Sequence, residues 1–179
     1  MGRSMRKYLR SYYFFLIFVF LTGCGPSDYD KALLYYRQGN YSCAIVFFAQ
    51  AAYEGDAEAQ NMMGTMYLDG KGASQDYNKA RRWFIQSFKK GNCDAAYNLG
   101  NNYRIGLGVN KDNKKSSMLY NYAAKKGHTD AIFNLAVMLY KGYEIEQNYP
   151  DAFLLLSKLS KDKYPESQRL IAAMYFYGR

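Results

Sequence analysis

The chain has 179 residues, enough for one domain of ordinary size. Hydrophobic residues make up 49% and charged residues 22%, which excludes a generally disordered chain. The net charge of +9 is unevenly spread: Arg3, Arg6, Lys7 and Arg10 fall in a segment, residues 1–23, that has no Asp or Glu, and the remainder carries +5. That balance suits an anionic membrane surface or an acidic partner. It lacks the dense basic stripe of a nucleic-acid-binding protein.

The first segment reads as an address. Met1–Arg10 is basic and Tyr12–Leu21 is apolar, the order of a secretory signal. About ten apolar residues are too few to span a bilayer as a helix, which needs roughly 20. Leu21-Thr22-Gly23-Cys24 follows, where a small-residue cleavage site belongs, and it resembles a bacterial lipobox. The resemblance implies cleavage after Gly23 and a covalent lipid on Cys24. Gly25, rather than Asp, follows that cysteine, which by the same resemblance favours an outer-membrane lipoprotein facing the periplasm. Only residues 25–27 separate the anchor from the first helical pattern, so residues 24–27 form a short tether holding the domain near the lipid.

From Asp28 onward the chain repeats. Gly55, Gly91 and Gly127 are 36 residues apart, and Gly64, Gly100, Ala136 and Ala172 share that interval. So do Gly70, Gly106, Gly142 and Gly178, and the series Trp83, Leu119, Leu155. Such a period marks a stacked-repeat architecture. Each unit reads as two helices. The first covers roughly residues 57–68, with Ala59, Met63 and Tyr67 on one face. The second covers roughly 77–89, where Ala80, Trp83, Phe84, Ser87 and Phe88 form a stripe at helical spacing. Gly70-Lys71-Gly72 and Gly106-Leu107-Gly108 join the pairs, glycine allowing the left-handed backbone. Gly142-Tyr143-Glu144 breaks the pattern, so a differently shaped third linker is expected.

Ala59-x-x-x-Met63-Gly64-x-x-Tyr67-x-x-Gly70-x-Gly72, then Ala80-x-x-Trp83, resembles the Sel1-like repeat. Ala95 to Gly108 repeats it, and a third copy from Ala131 has lost glycines. Upstream, Ala32, Tyr35, Gly39, Tyr41, Ala44, Phe48 and Ala51 resemble the related tetratricopeptide repeat. The fold implied for residues 28–179 is an all-α, right-handed α-solenoid of helix-turn-helix units. Their approximate bounds are 28–54, 55–90, 91–126 and 127–162, with a half unit over 163–179. The last helix would show Leu170, Ile171, Met174 and Tyr175. It is itself a cap, or belongs to a truncated chain, or is covered by a partner.

Little in the sequence speaks for catalysis. The one histidine, His128, lies in an inter-repeat turn and reads as a solvated turn residue. No G-x-S-x-G, H-E-x-x-H or phosphate-loop pattern occurs, and the G-x-G pairs follow helices rather than strands. No C-x-x-C pair points to a metal or redox role. Cys43 and Cys93 are a whole unit apart, which favours free or buried thiols over a disulfide. No enzyme activity, cofactor, metal, nucleic acid or small-molecule substrate is therefore expected.

The resemblance instead implies binding of a protein or peptide on the concave surface lined by first helices. The ligand offsets of the tetratricopeptide family fall here on Asn61, Thr65 and Leu68; then Tyr97, Asn101 and Arg104. In the later units they fall on Phe133, Val137 and Tyr140, and on Arg169, Ala173 and Phe176. Phe133 and Val137 fit an inter-repeat core equally well. The expected role is a membrane-anchored adaptor for a secretion, pilus or exopolysaccharide assembly; the alternative is a periplasmic regulator of a cell-wall enzyme.

Overall fold

The computed structural model describes residues 25–159 and 164–178; residues 1–23, expected to be a signal segment, and Cys24 lie outside them. The described residues form helices α1 (Asp28–Arg37), α2 (Tyr41–Glu54), α3 (Ala57–Asp69), α4 (Tyr77–Lys89), α5 (Cys93–Ile105), α6 (Asn113–Lys125), α7 (Thr129–Lys141), α8 (Tyr149–Ser157) and α9 (Pro165–Phe176). No strand occurs among them. Each helix packs mainly on the helix before and after it, so α1–α9 stack as an all-α solenoid.

The starts of these helices are written in the sequence. Asn40, Asp76, Asp112 and Asn148, each 36 residues on, cap the second helices. Each accepts a bond from the backbone N–H three residues along, satisfying a donor that the helix itself cannot. Ser27, Asp56, Asn92 and His128 do the same for the first helices. At the other end, Gly70, Gly106 and Gly142 close α3, α5 and α7 in the left-handed conformation, where the absence of a Cβ removes the steric penalty.

Within a unit, a small residue on the first helix receives a large one from the second. Phe84 and Tyr120 are fully buried, against Gly64 and Gly100. A Cβ at Gly64 would lie 2.4 Å from the Phe84 ring, and one at Gly100 2.6 Å from that of Tyr120. One unit on, Ala136 and Leu156 occupy the same two positions, both fully buried: the methyl enters as the ring leaves. Four apolar clusters run in sequence along the stack, from Phe48 and Met63, through Phe84 and Leu99, then Tyr120 and Leu135, to Leu156 and Met174.

Two expectations are corrected here. The third linker does not differ in shape. Glu144 takes φ 55°, the only positive φ outside glycine among the described residues, in register with Gly72 (75°) and Gly108 (69°). The closing bonds hold it there. Asn148 N–H donates to the Leu139 carbonyl as Asp76 does to Tyr67 and Asp112 to Tyr103. The Gln147 amide donates to the Tyr140 carbonyl as Gln75 does to that of Leu68. A left-handed non-glycine residue carries about 1 kcal/mol of strain. The last helix also differs: Met174 is buried and Leu170 and Ile171 pack against the final cluster, while Tyr175, Phe176 and Tyr177 are exposed. Cys43 and Cys93 are free thiols on α2 and α5.

Candidate functional site

The first helices α3, α5, α7 and α9 form one layer and α2, α4, α6 and α8 the other, as ring and amide contacts within each layer show. Asn98 Nδ2 donates to Asn61 Oδ1 at 3.0 Å, from α5 to α3. The Tyr53–Trp83 and Phe88–Tyr122 ring pairs link α2 to α4 and α4 to α6, with centroids 5.5 and 5.0 Å apart.

The residues read as ligand positions all lie on the first-helix layer, but they meet different surroundings. Asn61 is buried against Asn98, and Thr65 Oγ1 donates to the Asn61 carbonyl. Leu68 is half-buried on the cluster containing Phe84. Asn101 and Arg104 hold a buried phenol: the Tyr120 hydroxyl donates to Asn101 Oδ1 at 2.6 Å and accepts from Arg104 Nε at 3.1 Å. Burial pushes the Tyr120 pKa up, against the opposing pull of Arg104. Phe133 and Tyr140 pack on the last cluster, Phe133 stacking on Tyr164 and Tyr140 meeting Tyr149 edge-on. Val137 and Ala173 are half-buried; Arg104, Arg169 and Phe176 are exposed. These last three offer a partner the most accessible groups of the row.

His128 is corrected from a solvated turn residue to a half-buried cap. Its Nδ1 accepts from Ala131 N–H at 3.2 Å, which assigns the proton to Nε2. Nε2 lies 3.5 Å from Asp94 Oδ1, and the ring stacks on Tyr97 at 4.5 Å. Beside it the Tyr164 hydroxyl meets Asp130 Oδ1 at 2.5 Å and Thr129 Oγ1 at 2.7 Å, and the Asp130 bond is the main cause of its raised pKa. Burial, then Asp94, pushes the Cys93 thiol up, so this thiol is not an activated nucleophile. No group of three His, Cys, Asp or Glu side chains suited to a metal occurs among the described residues. An open groove of about 400 Å³ lies between α6, α7 and α8, lined by residues that include Met118, Leu139 and Ile145.

Sequence reasoning missed Asn102. It is 1% exposed, and neither atom of its amide has a hydrogen-bond partner among the described residues. Met66 and Met138 fill the same register in the neighbouring units and are buried. The 36-residue spacing carried that signal, since an amide alternates there with thioethers.

The stacked helix pairs define a helical-repeat protein. The model of the Sel1 repeat matches residues 19–42, 57–92, 93–128, 129–163 and 165–179, and the chain belongs to the Sel1 repeat family, whose members mediate protein–protein interactions. Among solved structures, a protective antigen of uropathogenic Escherichia coli strains is similar, at 26% identity and TM-score 0.80 over 88% of this chain. A Sel1 repeat protein from Oxalobacter formigenes shares the fold, at 24% identity and TM-score 0.77 over 83% of the chain. The matches cover 35% and 61% of those two chains, respectively. No curated protein matches.

Proposed function

We propose that this chain is an export-targeted lipoprotein, anchored through Cys24, that serves as a protein-binding adaptor in assembling or stabilising a cell-envelope complex. The observation that carries the reading is the first-helix layer, which aligns amide, guanidinium and aromatic groups on one face. Exposed Arg and aromatic side chains supply large contact areas and are frequent binding hot spots. Arg104 is held in place by Tyr120, so less side-chain entropy is lost when it engages a partner. The basic, then apolar, then Leu-Thr-Gly-Cys start of the chain supports attachment to a membrane. Secretion, pilus and exopolysaccharide machineries are the assemblies in which such an adaptor fits.

The test is in-cell crosslinking of the full chain beside an Arg104→Ala, Arg169→Ala variant, together with metabolic labelling by a fatty-acid analogue. Tyr97 and Phe133 are poor choices for substitution, because both rings pack against neighbouring units. The reading expects label on the parent that a Cys24→Ser change removes. It also expects one envelope protein captured by the parent and lost in the arginine variant at an unchanged melting curve. Absence of the lipid label overturns the anchor; capture undiminished in the variant overturns this face.

A further inference from the structure

The two helix layers differ in charge. Helices α2, α4, α6 and α8 with their caps carry ten Lys or Arg against four Asp or Glu. The first helices α1, α3, α5, α7 and α9 with theirs carry five against eight. The excess is concentrated on α4 and α6, where Arg82, Lys89, Lys90, Lys114, Lys125 and Lys126 are exposed and have no carboxylate partner among the described residues.

An apolar ridge, interrupted by Arg82, enters this basic field at Met118 and flanks it at Val46 and Leu154. Val46, Arg82, Met118 and Leu154 are 36 residues apart, at one position of successive second helices. Val46 is 64% exposed, Met118 71% and Leu154 53%. Met118 also borders an open apolar groove of about 390 Å³ beside Phe88, Leu119 and Tyr122. A polyanion such as a nucleic acid would satisfy the lysines and leave the ridge in water. A bilayer interface takes both, with apolar groups entering the headgroup boundary and lysines meeting lipid phosphates.

We propose that the α2–α4–α6–α8 layer docks on the surface of an anionic lipid bilayer. The inference deepens the anchored reading and rests on it for location: only residues 25–27 separate Cys24 from α1, so the face is already held near lipid. Docking turns the first-helix layer, with Arg104 and Arg169, away from the membrane and toward a partner.

The experiment uses residues 25–179, the mature chain of that reading without its lipidated cysteine, with Cys43 and Cys93 changed to Ser, so that neither the anchor nor the basic and apolar segment before it plays a part. One environment-sensitive fluorophore is attached through Met118→Cys, and in a control through Phe176→Cys, an exposed position of the first-helix layer on α9. Vesicles are phosphatidylcholine with or without phosphatidylglycerol, the acyl chains brominated. The expected result is quenching at position 118 only on the anionic vesicles. It weakens at least tenfold in vesicle concentration after Lys114→Glu, Lys125→Glu and Lys126→Glu, and it falls with added salt. Circular dichroism melts confirm that each variant is folded.

A label at 118 that stays in water on both vesicles overturns the docking face. So does equal quenching at 176, which would show immersion without orientation. Protection of position 118 by an acidic polypeptide or an oligonucleotide, but not by vesicles, also overturns it and assigns the face to that partner. The Cys24 labelling described above remains an independent test of the anchor.

Discussion

The Gly64–Phe84 contact invites a double-mutant cycle whose compensated form this chain already contains. Gly64 sits inside α3, where alanine would ordinarily add roughly 1 kcal/mol through backbone entropy. Its Cβ would fall 2.4 and 2.5 Å from two carbons of a fully buried ring, too close for either group to stay in place. Overpacking of this kind costs about 1–3 kcal/mol, so the net effect of Gly64→Ala is a loss of about 0–2 kcal/mol. Phe84→Leu alone removes buried ring volume and leaves a void, for a loss of about 2 kcal/mol. Together they recreate the Ala136–Leu156 pair, and the new methyl enters the void. The double variant should lose only about 1 kcal/mol, a favourable coupling of roughly 1–3 kcal/mol between residues in contact. Urea unfolding followed by fluorescence of Trp83, the chain's one tryptophan, reads the region directly, with circular dichroism reporting the whole stack. Strictly additive losses would refute the reasoning, as would a Gly64→Ala variant more stable than the parent.

Asn102→Met should raise stability by about 1–2 kcal/mol in the same unfolding assay, because it removes an unpartnered buried amide and installs the side chain of the sister units. Glu144→Gly should stabilise by about 0.5 kcal/mol, the relief of left-handed strain partly offset by the unfolded-state freedom of glycine. The cap carboxylates Asp76 and Asp112 have pKa values lowered first by the backbone N–H groups of Lys79 and Lys115. Their contribution is therefore present above the ordinary carboxylate pKa and fades as pH falls through the lowered folded value. Asn at both positions keeps an acceptor that does not titrate, so the acid limb of the melting-temperature profile should be shallower. An unchanged limb would show that other carboxylates govern it.

The architecture was legible because it is repeated. The 36-residue interval located helices, glycine closures and the small-residue seam, each position vouching for the others. The Asp and Asn caps recur at that interval too. The individual departures were less legible. Glu144 reads as a break from residue type, yet the closing bonds repeated from unit to unit impose the shape regardless. His128 reads as solvated from its turn, but stacking on Tyr97 depends on α5 and α7 lying side by side, a distance no local pattern encodes. The same holds for the candidate face. Helical offsets place Asn61, Asn101 and Arg104 on one layer, while their commitment to Asn98 and Tyr120 arises only from packing. The charge difference between layers was hidden in the net total, since it emerges when alternate helices are counted separately.

Because each helix rests chiefly on its two neighbours in sequence, the joint between units is the same local problem solved again and again. A 36-residue insertion would bring its own cap, its own glycine closure and its own large-into-small contact, and the joints on either side would not need redesign. Length is thus a variable this architecture can change without disturbing what already folds. In the proposed docking geometry, adding units would widen the lipid-facing and partner-facing layers together while leaving the distance between them as it is.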